Sequence, residues 1–179
     1  MHDIKQVPTY IHTYSKASKY HKVKMTTEAS VQAFFSSPQF AVVGASSNPA
    51  KFGHKVFVWY KDHKLPVYPI NPAPSITTRY GEHATVKSVS ELSDPTHTSL
   101  SVITPPPVTL EILKEAKRVG IPAIWLQPGT FDDEVIRFAR GKDTDGYAGD
   151  VIAGEGGVGS EGWCVLVDGE KGMRSAGKL

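Results

Sequence analysis

The residues best suited to chemistry lie in one stretch: Gly44-Ala45-Ser46-Ser47-Asn48-Pro49-Ala50-Lys51-Phe52-Gly53, directly after the apolar run Phe40-Ala41-Val42-Val43. An apolar run that breaks into small and polar residues, and then into a helical pattern, reads as a strand, a tight turn and a helix start. Such a turn holds a phosphate group, because glycine admits close backbone approach and the first N–H groups of a helix face the anion. Gly44 supplies the approach. Ala45, Ser46, Ser47 and Asn48 form the turn and offer donors, and Lys51, Phe52 and Gly53 open the helix, where the dipole adds partial positive charge. His54, Lys55 and Arg79 are further candidates to neutralise phosphate. The chemistry implied is nucleotide binding.

Three other apolar runs end in similar residues: Asn71-Pro72, Thr104-Pro105-Pro106-Pro107 and Gln127-Pro128-Gly129. Neutral hydrogen-bonding groups at strand ends suit a ligand that carries its own negative charge. Two absences narrow the nucleotide. The turn lacks the G-x-G-x-x-G dinucleotide pattern, and Asn71 stands where an acidic residue would grip a ribose. Both disfavour NAD(P).

These groups must be positioned by elements that the hydrophobic pattern predicts. Thr27 is a helix N-cap, and Val31, Phe34 and Phe35 recur at helical spacing before Ser36-Ser37-Pro38. Strands are expected at 40–43, 67–70, 100–103 and 123–126. Helices are expected from about Gly53 to His63 (burying Val56, Trp59 and Tyr60), from Val108 to Val119 (with Ile112, Ala116 and Val119 on one face), and after Asp132 or Asp133. The stretch from Pro74 to Gly81 reads as a loop, followed by a short segment near 84–89. The alternation predicts an α/β fold: three layers, Rossmann-like and doubly wound, with a mostly parallel sheet in a single domain. In the C-terminal segment, Val151-Ile152-Ala153 and Trp163-Cys164-Val165-Leu166-Val167 could each add an edge strand. Residues 141–179 hold 11 of the 16 glycines, and the domain is expected to span 25–167, with a mobile tail over 168–179.

The 179 residues carry a net charge of +2, unevenly placed. Residues 1–24 hold five lysines and one acid, and the remainder is near neutral, so neither nucleic acid nor membrane is an expected partner. Residues 1–24 read as a basic, disordered extension. A single cysteine, Cys164, fits a reducing, cytoplasmic setting. The basic leader alternatively suits a mitochondrial transit peptide, although it lacks arginine and carries Asp3. A homodimer is expected only from how common homo-oligomers are.

Other groups have plainer readings. Gly154-Glu-Gly-Gly-Val-Gly159 lacks the lysine of a phosphate loop and reads as a flexible segment able to fold over a ligand. Cys164 sits in an apolar run, as a packed thiol does; the sharper reading is disulfide exchange with a ligand thiol. The seven histidines show no ligand spacing, so no metal is expected. Asp132-Asp133 reads as a cap, and Tyr80 or Phe52 could stack on an adenine.

Ala41-Val-Val-Gly-Ala-Ser-Ser-Asn-Pro49 with Gly53, Val67-Tyr-Pro-Ile-Asn-Pro72, Thr104-Pro105-Pro106 and Trp125-Leu-Gln-Pro-Gly129 together resemble the small CoA-binding-domain proteins. These are relatives of the N-terminal domain of the succinyl-CoA synthetase alpha subunit. The resemblance covers about residues 28–140 and implies that the ADP end of CoA or an acyl-CoA is held at these loops. It implies no reaction, and the synthetase's phosphorylated histidine has no counterpart. The C-terminal segment departs from the family, whose bacterial members end in a short Cys- and His-containing piece. The expected function is CoA binding without catalysis. The alternatives are an NAD(P)-binding oxidoreductase-like protein and an interaction protein with a vestigial pocket.

Overall fold

The computed structural model describes residues 26–141 and 145–179; the expected extension 1–24 lies outside them. In chain order the elements are α1 (Glu28–Ser36), β1 (Gln39–Val43), α2 (Phe52–Asp62), β2 (Val67–Ile70), β3 (Ser75–Thr78), β4 (Gly81–Ala84), β5 (Thr98–Val102), α3 (Pro106–Val119), β6 (Ala123–Leu126), α4 (Asp133–Arg140), β7 (Asp150–Ile152) and α5 (Val165–Ser175). Five strands form one parallel sheet in the order β2-β1-β5-β6-β7. The chain steps outward from β1 to β2, and its later strands build on the other side of β1. The order therefore reverses between β1 and β5, and the crevice at their carboxyl ends is where such sheets take ligands.

Both faces of the sheet are covered, which is why its strands read as continuous apolar runs rather than alternating ones. Phe40, Val42 and Trp125 pack with Phe34 and Phe35 of α1, Val56 and Tyr60 of α2, and Val165 and Met173 of α5. Ala41, Val43, Ile124 and Leu126 face Leu113 and Ala116 of α3 and Val135 and Ala139 of α4. This is the three-layer α/β fold expected. Thr27 caps α1 by accepting from the Ser30 N–H at 3.2 Å, and Asp132 caps α4 through the Glu134 and Val135 N–H groups. On β5, buried Ser101 pairs with the Tyr60 hydroxyl at 2.8 Å and Ser99 with Ser37 at 2.7 Å, so polar groups inside the aromatic layer are satisfied.

The structure departs from the sequence reading in three places. Residues 75–84, expected to be mostly loop, form the antiparallel hairpin β3–β4. Ile76 is its only deeply buried apolar side chain, so no periodic signal marks it. On α3 the most buried residues are Thr109, Leu113 and Ala116, with Ile112 and Val119 flanking them. Val151-Ile152 does extend the sheet as β7. Trp163–Val167, however, is not a strand: Cys164 is the N-cap of α5, which runs through most of the segment expected to be a mobile tail. Beyond it, the Lys178 N–H still bonds the Met173 carbonyl at 2.9 Å. Glycine hides this helix from the sequence by lowering its propensity.

Candidate functional site

Three segments meet at the switch point because two glycines allow it. Gly44 ends β1 with φ +88°, and a Cβ there would lie 2.5 Å from the Ile103 carbonyl oxygen after β5. A Cβ on Gly53 would lie 1.9 Å from the Gly44 carbonyl oxygen. The first turn of α2 therefore presses directly on the β1 turn, which no other residue type permits without movement. Backbone bonds lock the crevice: the Gly44 N–H donates to Ile70 O at 3.1 Å and the Ile103 N–H to Val43 O at 2.9 Å. At the head of α2, the N-cap Lys51 makes no side-chain cap bond, and the first turn contains no acid. The Lys55 ammonium lies 5.2 Å from the centre of the exposed Phe52 ring. A helix N-terminus flanked by two lysines and no carboxylate favours an anion.

Several polar residues expected to meet the ligand are instead engaged in shaping its loops. Ser46 Oγ accepts from the Asn48 N–H at 3.1 Å, and Asn48 Oδ1 from the Ala50 N–H at 2.9 Å. Ser47 Oγ accepts from the Thr77 N–H at 3.0 Å, tying the β3–β4 hairpin to the turn. Both serines keep their own O–H to donate. Asn71 donates from Nδ2 to Ala45 O at 2.7 Å and accepts the Ala73 N–H at 2.8 Å. It joins the β1 and β2 loops. His54 donates from Nδ1 to Ser46 O at 2.8 Å. Thr104 pairs with Thr109 at the head of α3, where Pro105 is the N-cap and Pro106 the first helical residue. Pro72 is exposed beside Asn71. The structure thus gathers Gly44–Asn48, Lys51–Gly53, Asn71 and Thr104 around one crevice. Arg79 is not among them: with Tyr80 it bonds Asp62 at the far end of α2, and although desolvation pushes the Asp62 carboxyl up, these bonds outweigh it and hold that pKa below the usual carboxylate range.

Gln127, at the end of β6, leads into a second compartment. A cavity of about 300 Å³ opens beside Phe52 and Ile103, against Gln127 and under residues 159–162. Its roof is the glycine-rich segment, closed on itself where the Trp163 N–H meets Gly154 O at 3.0 Å. One carboxylate pins the roof. Asp168, 3% exposed, accepts the Val158 N–H at 2.7 Å and the Cys164 N–H at 2.9 Å. Cys164 lines the cavity, and burial pushes its thiol above the ordinary cysteine value. Gln127 Oε1 accepts the Val165 N–H at 3.0 Å, while its buried Nε2 has no partner among the described residues. The sequence marks Gly154–Gly159 as a segment able to fold over a ligand, but Asp168 and Ile103 went unread as site residues. An acid four residues after Cys164 is a helix-start signal, but it registers only once α5 is recognised as a helix.

Among the described residues no helix is long and apolar enough to cross a membrane, and no cluster of side chains could hold a metal ion. Comparison with known proteins supplies the remaining observations. The family model described as "CoA binding domain" matches residues 38–151. A conserved hypothetical protein from Pyrococcus furiosus is similar at 34% identity, covering 56% of this chain and 83% of that one with a TM-score of 0.50. A hypothetical protein from Pyrococcus horikoshii shares the fold at 22% identity and TM-score 0.64, covering 82% and 92% of the two chains. A Thermus thermophilus protein does so at 22% identity and TM-score 0.60, covering 82% and 99%. No curated protein matches the chain.

Proposed function

The chain belongs to the CoA-binding-domain family, and from that premise we propose that it binds coenzyme A or an acyl-CoA without a reaction of its own. The ADP-pyrophosphate end would sit in the crevice between β1 and β5. The observation that carries the reading is the Gly44–Gly53 turn. Its backbone contacts exclude a Cβ at either glycine, and it presents an uncapped helix N-terminus flanked by Lys51 and Lys55. The Ser46 and Ser47 hydroxyls and the first N–H groups of α2 would serve as donors to the pyrophosphate. Phe52 offers a ring face.

Asn71 supports CoA over a dinucleotide. Its amide is committed to Ala45 and Ala73, and it offers no carboxylate to the paired hydroxyls of an adenosine ribose. A thermal melt tests the choice. CoA at about a hundred times its Kd should raise the melting temperature by roughly 5–10 °C. NAD and NADP should leave it unchanged. Equal shifts from all three, or none, would overturn the proposal; a shift with NAD(P) alone would favour the oxidoreductase-like alternative.

A further inference from the structure

We propose that the cavity beneath the glycine-rich roof receives the thiol-ended arm of CoA, with Gln127 Nε2 donating a hydrogen bond to an amide carbonyl of that arm. The inference rests on the CoA reading above and adds a second compartment to it. The unpartnered donor is the starting observation. Gln127 is 4% exposed, its Oε1 is fixed by the Val165 N–H, and its Nε2 is buried with no acceptor among the described residues. Buried donors are almost always paired, so an orphan beside an open cavity marks where a ligand acceptor belongs.

Charge divides the two compartments. The crevice at α2 has Lys51 and Lys55 and no first-turn acid. The cavity has Glu161 in its lining and no Lys or Arg among the described residues there. A phosphate belongs at the first and is repelled from the second. Beyond its pyrophosphate, CoA continues as an uncharged chain with two amides and a terminal thiol, which matches a lining of Phe52, Ile103, Leu166 and Val167 around one amide donor. Phe52 and Ile103 border both compartments, so one ligand can pass from the first to the second. A volume of about 300 Å³ lies at the lower end for ligand pockets, which favours the bare arm over a long acyl chain. The roof and Cys164 lie outside the matched residues 38–151. The compartment thus joins a floor from the matched residues, including Gln127, to a roof from the chain's own C-terminal segment.

Cys164 is the chain's single cysteine and reports directly on the cavity. Iodoacetamide alkylation of the full chain would be followed by mass spectrometry with saturating desulfo-CoA, which keeps the arm but has no thiol to consume the reagent, or with saturating 3′-phosphoadenosine 5′-diphosphate, the same nucleotide without the arm. Desulfo-CoA should slow alkylation at least tenfold and the armless nucleotide less than twofold. Equal protection by both, or none by either while both bind, overturns the inference and leaves CoA binding standing. Failure of both to bind overturns both readings. Gln127→Glu keeps the acceptor for Val165 and removes the donor, and Gln127→Met serves if the buried carboxylate unfolds the chain. Either should reduce the ratio of CoA affinity to armless-nucleotide affinity about tenfold. An unchanged ratio in the folded variant sinks the proposal.

Discussion

Two glycine-containing turns border the adjoining crevice and cavity and are held in opposite ways. Gly44–Gly53 is fixed by steric contact of backbone on backbone, with a Cβ at Gly53 reaching within 1.9 Å of a carbonyl oxygen. Gly154–Trp163 is held by side chains: buried Asp168 accepts the Val158 N–H at its centre and the Cys164 N–H just past its end, where the Trp125 indole also donates to the Trp163 carbonyl. The first is a fixed part of the fold, since moving it would move β1, β5 and α2 together. The second is an attachment through a few side chains, which one substitution can loosen. A rigid turn suits a charged group whose position must be defined; a pinned roof suits a cavity whose contents must enter and leave.

The sharpest way to break this comparison is Gly53→Ala. Overpacking of this kind costs about 1–3 kcal/mol and more where backbone is the obstacle. The Gly44 carbonyl cannot swing aside without pulling on Gly44, whose amide is bonded to Ile70. We expect a loss of about 3 kcal/mol or more in urea unfolding and loss of CoA binding in calorimetry. A variant of unchanged stability would show that the turn is not sterically fixed.

Asp168→Ala should have a smaller and more local effect. Two N–H groups lose a charged acceptor, and hydrogen bonds to charged groups contribute about 1.5–3 kcal/mol each, partly recovered where water can reach the freed groups. We expect about 2 kcal/mol of destabilisation, with faster hydrogen exchange across 155–164 and unchanged exchange in β1 and β5. Uniform loss of protection over the whole sheet would mean that the roof is not a separate attachment.

The same contrast explains what the sequence disclosed. Strands β1, β2, β5 and β6 each combine a short apolar run with a glycine, proline or polar stop, so the fold and the four loops around the crevice were legible. The partners of the loop side chains were not. Ser47 and Asn71 read as ligand donors, but each has a backbone partner that only the folded chain brings near, Thr77 for Ser47 and Ala45 for Asn71. The cavity was hidden for a different reason. It requires Gln127, Cys164 and Asp168 together, and Asp168 belongs to a helix whose glycines disguise it.

Those helical glycines provide the finest test of the comparison, because two effects of similar size oppose each other. In an undocked tail, Gly172→Ala would favour helix by about 1 kcal/mol. In the folded chain a Cβ at Gly172 would meet Val31 at 2.5 Å and the Phe35 ring at 2.7 Å, and both side chains belong to the packed aromatic layer. Phe35 is 0% exposed, so an overpacking cost of about 2 kcal/mol should exceed the propensity gain. The net expectation is a loss of about 1 kcal/mol, measurable as a lower denaturation midpoint with an unchanged slope. Neutrality or a gain would mean that α5 does not press on α1 as closely as its glycines imply, and the roof anchored through Asp168 would then rest on a looser base than the turn at Gly44.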